Sequence, residues 1–223
     1  MNTRVGIFAQ RREHGGRLFH TLAFDYIEAT ERVWGIPIII PAHTKYLHSY
    51  LDLCDRYIFP GGSDIDPSLY GQYASGARWV MREYDRYLLD AMRDIMMRKQ
   101  PILGICKGMQ MMNILHSGTL IQDIAWRKKH FQPDRGYETV DEVTFATWSY
   151  LEKAYGSNTL GINSIHHQGI DRLGDGLEIV ARSGYDGEIE AIEHMSLPHY
   201  GVQWHPEYLK SEQLFKWFVM KNI

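Results

Sequence analysis

The sequence predicts an α/β protein built on a parallel sheet, and three observations carry that prediction. Short apolar runs rich in β-branched residues recur along the chain. Stretches with apolar residues three and four apart lie between them, the spacing of amphipathic helices. The two kinds of segment alternate through the first half of the chain, the pattern of strand, crossover helix and parallel strand.

Taken in order, the strands of that half are expected at 5–8, Ile36–Ile40, 57–59 and Ile102–Ile105. The crossover at 22–34 brings Ala23, Tyr26, Ile27, Thr30 and Val33 towards one face and stops at Gly35. A longer helix at 83–98 aligns Tyr84, Tyr87, Leu88, Ala91, Met92 and Ile95, ends in Arg98 and Lys99 before Pro101, and feeds the strand at 102–105. Met109, Met112 and Leu115 give residues 107–116 a helical spacing that begins just after Cys106. From about Asp123 the pattern changes. Residues 127–136 are polar and rich in turn formers, which predicts a long loop, and strand-like runs at 139–145, Thr159–Ile162, 177–182, Ile189–His194 and 200–203 then read as additions to the sheet. A short amphipathic helix at 211–221, with Leu214, Phe215, Phe218 and Val219 inward, closes the chain.

At 223 residues, with no shift in composition, no internal repeat and no low-complexity tract, one domain over 1–223 is expected. The longest apolar runs are far too short for a membrane span, and a net charge of -3 supplies no basic field for nucleic acid or anionic lipid. The N-terminal residues read as a first strand, not a signal peptide, so a cytoplasmic location is expected. Two cysteines, Cys54 and Cys106, leave no disulfide framework.

Cys106 stands where the apolar run 101–105 stops, between Gly104 and Gly108. A strand-to-helix elbow there would lift the thiol out of the sheet to a helix N-terminus, where unpaired N–H groups favour a thiolate. The flanking glycines suit a turn too tight for a Cβ. By itself the pattern is weak, because buried cysteines are common small core residues. A cysteine nucleophile needs a base and a group to hold that base. Gly201-Val202-Gln203-Trp204-His205-Pro206-Glu207 supplies both: residues two apart in an extended backbone point the same way, and Pro206 keeps His205 out of the helical region. Glu207 would then fix the His205 tautomer and stabilise its imidazolium, although without Cys106 the two would read equally well as a surface pair. For an oxyanion hole the candidates are the N–H groups of Gly62, in the Gly61-Gly62 turn after the third strand, and of Lys107, which follows the nucleophile. A tight turn capped by Asp64 or Asp66 is the simpler reading of those glycines taken alone.

Together these segments resemble the class I, or triad, glutamine amidotransferase superfamily, and within it the γ-glutamyl-γ-aminobutyrate hydrolase group of free-standing γ-glutamyl hydrolases. Five motifs in the expected order carry the resemblance: Pro60-Gly61-Gly62-Ser63-Asp64-Ile65-Asp66-Pro67, Gly104-Ile105-Cys106-Lys107-Gly108-Met109-Gln110, Asn163-Ser164-Ile165-His166-His167-Gln168, Gly187-Glu188-Ile189-Glu190-Ala191-Ile192-Glu193, and Gly201 to Glu207. The resemblance implies a flavodoxin-like α/β fold, with a mostly parallel central sheet, helices on both faces and added strands in the C-terminal half. It implies a catalytic triad of Cys106, His205 and Glu207, and places Gln110, Asn163, Ser164, His166, His167 and Gln168 around the γ-glutamyl moiety. The expected reaction is hydrolysis of a γ-glutamyl amide through a γ-glutamyl thioester, releasing glutamate and an amine, with no metal or organic cofactor.

Two alternatives are weighed against it: a glutaminase subunit that passes ammonia to a separate synthetase, and a non-catalytic binding protein that keeps the fold. A metal at His166 and His167 is not expected, since adjacent strand residues face opposite ways and no third ligand stands at a sensible spacing. Two positions depart from the family pattern: Lys107 stands where arginine is frequent, and Asp141 stands about where a histidine is frequent, on the side of the leaving amine. Arg127, Lys128 and Lys129 offer cations on that side, though a solvated charge run is the simpler reading. The expected partner is a small-molecule γ-glutamyl substrate, with homo-oligomerisation left open.

Overall fold

The structure, a computed structural model, describes residues 2–125 and 127–220, without the side chains of Arg127 and Lys128. In chain order the strands are β1 (Arg4–Phe8), β2 (Gln10–His14), β3 (Arg17–Thr21), β4 (Ile36–Ile40), β5 (Arg56–Phe59), β6 (Ile102–Ile105), β7 (Leu120–Ile121), β8 (Asp141–Phe145), β9 (Thr159–Ile162), β10 (Gly169–Ile170), β11 (Leu177–Ser183), β12 (Ile189–His194) and β13 (His199–Val202). The helices are α1 (Phe24–Arg32), α2 (Leu47–Leu53), α3 (Arg82–Met97), α4 (Lys107–Leu115), α5 (Arg127–His130), α6 (Tyr150–Tyr155) and α7 (Glu212–Met220).

One sheet of nine strands runs in the order β4-β1-β5-β6-β13-β12-β11-β8-β9. Every pairing from β4 to β13 is parallel, and every pairing from β13 to β9 is antiparallel. The expected α/β fold with strands added in the C-terminal half is therefore the observed one. Apolar side chains cover both faces of the parallel half. On one face Phe8, Ile40 and Phe59 pack with Leu51 of α2, Leu88 and Met92 of α3 and Met109 and Met112 of α4. On the other, Val5, Ile7, Ile58 and Leu103 pack with Tyr26 of α1, Leu151 of α6 and Phe215 and Phe218 of α7. Burial on both faces is what gives parallel strands their continuous apolar runs, and each such side chain contributes about 1.5–3 kcal/mol.

Several elements escape the periodicity argument. The hairpin β2–β3 is largely exposed and polar, with Gly15 and Gly16 at φ 58° and 70° in its turn, so apolar alternation could not reveal it. Helices α2 and α6 have seven and six residues, too short for a sustained repeat. Residues 123–139 are not a bare loop: α5 and a short 3₁₀ turn at Pro133–Arg135 interrupt them, and their backbone runs beside the segment 163–168 through the bonds His166 N–H to His130 O and Gln132 N–H to Ser164 O. The final helix spans Glu212–Met220, and the expected extension to Lys221 lies outside the described residues.

Candidate active site

The site forms where β5, β6 and β13 end side by side. β6 pairs in parallel with β5 through Phe59 opposite Gly104, and with β13 through Val202 opposite Ile105. The Cys106 amide donates to the Val202 carbonyl at 2.7 Å, so the chain leaves the sheet at the cysteine. Cys106 has φ 52° and ψ -104° and precedes the first residue of α4. Such a backbone is costly for a residue with a Cβ, on the order of 1–3 kcal/mol, and it is held by close packing on both sides. A Cβ on Gly108 would sit 2.1 Å from the Phe59 carbonyl oxygen, and one on Gly104 would sit 2.6 Å from the Gly108 backbone. The two glycines that flank the cysteine in the sequence are thus required by the approach of α4 to β5 and β6.

Past the end of β13, His205 and Glu207 face Cys106. Glu207 Oε1 lies 2.7 Å from His205 Nδ1, and the imidazole's other side lies against Cys106, with which it hydrogen-bonds. All three residues are buried. Burial works against a charge on His205, but the Glu207 carboxylate and the Cys106 sulfur outweigh it and push the imidazole up to about 10. The spacing of two across Pro206 sets the Glu207 carboxylate beside the imidazole.

Gly61 and Gly62 approach from β5. A Cβ on Gly61 would meet the His205 ring at 2.5 Å, and one on Gly62 would meet the Lys107 side chain at 3.1 Å, which puts the glycine turn directly over the elbow. Lys107 is buried, and its ammonium donates to Asp85 of α3 at 2.6 Å. Asp85 also accepts the Asp66 N–H at 3.1 Å, so one carboxylate ties the glycine turn to the residue after Cys106. Burial raises the Asp85 carboxyl, and the Lys107 ammonium opposes that rise.

Other residues that steady this arrangement were not singled out in the sequence for it. The Tyr26 hydroxyl accepts the Gly61 N–H at 3.0 Å, and the amide of Gln10, at the base of the hairpin, donates to the Gly61 carbonyl. Burial and then the neighbouring Glu207 carboxylate hold the Tyr26 hydroxyl well above its ordinary range. Tyr26 carries a signal only as part of an apolar helix face, and Gln10 and Asp85 carry none.

The residues expected around a γ-glutamyl group fall into four sets. Gln110, one turn into α4, donates to the Gln168 carbonyl at 3.2 Å and to the Gln203 side chain at 3.1 Å. Asn163 instead braces His205: its carbonyl oxygen accepts the His205 N–H at 2.8 Å, and its NH₂ donates to the carbonyls of His205 and Gly136. With both donors committed to backbone, its side chain serves His205. Ser164 and His166 turn towards His130 and Glu190. His167 turns the other way, to Asp64 at 3.0 Å and Asp123 at 3.1 Å, and these carboxylates, Asp64 foremost, raise its pKa against the effect of burial. The two histidines do face opposite sides, but the absence of a third ligand near them does not hold in space, because His130 and Glu190 arrive from distant segments.

Asp141 accepts from the Ser183 hydroxyl at 2.5 Å, beside the turn that carries Asp186. Lys129 stacks on Tyr185, with its ammonium 4.8 Å from the ring centroid. Any ligand contact by Arg127 or Lys128 lies outside the described residues. Both cysteines are free, and burial, aided by Asp55, pushes the Cys54 thiol up to about 11. Among the described residues no helix is long and apolar enough to cross a membrane.

A cysteine on a strained elbow between strand and helix, met by a histidine and a glutamate from the end of the neighbouring strand, on a sheet of this order, defines the class I glutamine amidotransferase-like proteins. Within that class the chain belongs to the Peptidase C26 family, whose model matches residues 4–207. It is 32% identical to a glutamine amidotransferase-like protein of Rickettsia prowazekii, over 89% of this chain and 88% of that one. It is 27% identical to the γ-glutamyl-γ-aminobutyrate hydrolase PuuD of Escherichia coli, over 95% and 88%. Among solved structures it superposes on a glutamine amidotransferase of Thermotoga maritima with a TM-score of 0.61 at 16% identity, covering 93% of this chain and 77% of that one. It superposes on PurLQS from the same organism with a TM-score of 0.65 at 19% identity, covering 96% of each chain.

Proposed function

We propose that this protein hydrolyses the γ-glutamyl amide bond of a small γ-glutamyl amine through a thioester on Cys106. The observation that carries the reading is the Cys106, His205, Glu207 constellation, with its carboxylate-imidazole bond of 2.7 Å and an imidazole that retains a proton at neutral pH. The proton shared by the Cys106–His205 pair rests on the imidazole, and the sulfur attacks the γ-carbonyl carbon. The oxygen of that carbonyl takes up the negative charge and is held by the N–H groups of Gly62 and Lys107. His205 then passes its proton to the amine nitrogen as the C–N bond breaks, leaving a γ-glutamyl thioester. A water deprotonated by His205 attacks the thioester, and glutamate leaves as the Cys106 sulfur is released beside the protonated imidazole. Glu207 keeps the imidazole in one tautomer and offsets its positive charge through both halves of the cycle.

The γ-glutamyl preference is supported by the family, by the hydrolase PuuD among its relatives and by the polar segment 163–168 beside Gln110. The test is a panel of γ-glutamyl amines compared with free glutamine by kcat/KM, on the wild type and on Cys106→Ala. A γ-glutamyl amine preferred over glutamine, with all turnover lost in the variant, is the expected result. Turnover of glutamine alone, rising only when a synthetase is added, would replace this reading with that of an ammonia-supplying subunit.

A further inference from the structure

Across β13 from β6, five ionisable side chains from three segments converge: His130 of α5, His166, and Asp186, Glu188 and Glu190 at and before β12. His130, His166 and Glu190 are buried, and one ligating atom of each lies within 4.8 Å of the others. We propose that His130 Nδ1, His166 Nε2 and the Glu190 carboxylate form a binding site for one divalent transition-metal ion of the zinc type. The site takes His166 from the segment 163–168 that the hydrolytic reading also uses, and its test is read from metal binding, not from turnover.

The hydrogen bonds around the cluster argue for a cation at its centre. His130 Nε2 lies 2.8 Å from Asp186 Oδ2, and a carboxylate there requires an N–H, which leaves Nδ1 of the neutral ring as a lone pair. His166 Nδ1 lies 3.0 Å from the Gln168 carbonyl oxygen, which likewise requires an N–H and leaves Nε2 as a lone pair. Both lone pairs face Glu190 Oε1, at 3.7 Å and 3.4 Å. Among the described residues, His166 Nε2 and both Glu190 oxygens have no hydrogen-bond partner. An inner ring of acceptors, each backed by a fixed donor to an outer carboxylate or carbonyl, is how proteins orient histidines for a metal. The separations fit as well: four-coordinate zinc with bonds of about 2.0–2.1 Å places its ligand atoms about 3.4 Å apart. Two imidazoles and one carboxylate match the ligand preference of zinc and similar ions. The Ser164 hydroxyl, 3.1 Å from His130 Nδ1, borders the fourth position. Glu188, close enough to interact electrostatically with His130, His166 and Glu190, adds a third carboxyl group beside two imidazoles. Such an ion would clamp residues 127–130 and 163–168 to β12.

The competing account is that both rings are imidazolium ions, paired with Asp186 and Glu190 with no metal. To separate the two, the Cys106→Ser protein, which cannot hold a metal through its catalytic sulfur, is stripped with a chelator and titrated with Zn²⁺ and with Co²⁺. The expected result is one tight equivalent, a Co²⁺ absorption band of four-coordinate type, and a loss of affinity of about 100-fold or more in both Glu190→Gln and His166→Gln. X-ray absorption at the zinc edge needs no variant and should count imidazole nitrogen and oxygen neighbours with no sulfur. Absence of a tight equivalent, a sulfur neighbour, or binding unchanged in folded Glu190→Gln protein would each overturn the site.

Discussion

At the ends of β5, β6 and β13 the buried polar groups form short chains of matched partners, Cys106 to His205 to Glu207 and Lys107 to Asp85. Across the antiparallel half, around β12 and residues 163–168, three carboxylates crowd two imidazoles, and among the described residues Glu190 accepts no hydrogen bond. The first arrangement is set by backbone: a strained cysteine, two glycines without room for a Cβ, and a proline between base and carboxylate. The second is assembled from side chains that meet only because the sheet continues past β13. The contrast teaches where each kind of constraint resides, with reaction geometry built into strand ends and charge balance left to long-range packing.

Substitutions in the two regions should therefore fail differently. The largest effect is expected for His205→Asn, which removes the base yet keeps the backbone clasp of Asn163: kcat/KM should drop by about 10⁴-fold or more, with the melting temperature little changed. Glu207→Gln should cost about 10²- to 10⁴-fold in kcat and move the alkaline limb of the pH profile down. In the wild type that limb should lie near pH 10, where His205 loses the proton that the leaving amine needs. The sign for stability agrees. With its folded-state value above the ordinary 6.5, His205 contributes stability that is complete below about that pH and is lost as pH rises through about 10. An alkaline limb that stays in place in Glu207→Gln would separate the carboxylate from the base.

Lys107→Ala tests the other matched pair. It leaves the fully buried Asp85 unpaired and should destabilise the protein by about 3–5 kcal/mol in denaturant titrations, with Asp85→Asn in the same background recovering part of that loss. Smallest of all, Asp141→Ala deletes the bond to Ser183 in the antiparallel half and should cost about 0.5–1.5 kcal/mol. An Asp141 effect larger than that of Lys107 would invert the contrast between the two regions.

What could be read from the sequence follows the same division. Cys106, His205 and Glu207 were legible because each sits on a local device: glycines at both flanks, a strand-to-helix change of period, and a spacing of two across Pro206. The parallel strands were legible because burial on both faces makes them apolar throughout. The hairpin β2–β3 was not, since its exposed polar residues carry no hydrophobic alternation, although Gly15-Gly16 marks a turn. Nor were Tyr26, Gln10 and Asp85, whose contacts to the glycine turn and to Lys107 join residues far apart in the chain. Asn163 was grouped with the substrate because its motif resembles the family's, whereas its amide is committed to the backbone of His205 and Gly136. The pairing of His130 with His166 and Glu190 follows no sequence spacing at all.

The central claim is covalent chemistry at Cys106, and it is tested most directly by intact-protein and peptide mass spectrometry on enzyme acid-quenched during turnover of a γ-glutamyl amine. A single γ-glutamyl acyl group on the Cys106 peptide, formed and lost at rates compatible with kcat, is the predicted result. Steady turnover with no acyl group on Cys106, or full activity in Cys106→Ala, would contradict it.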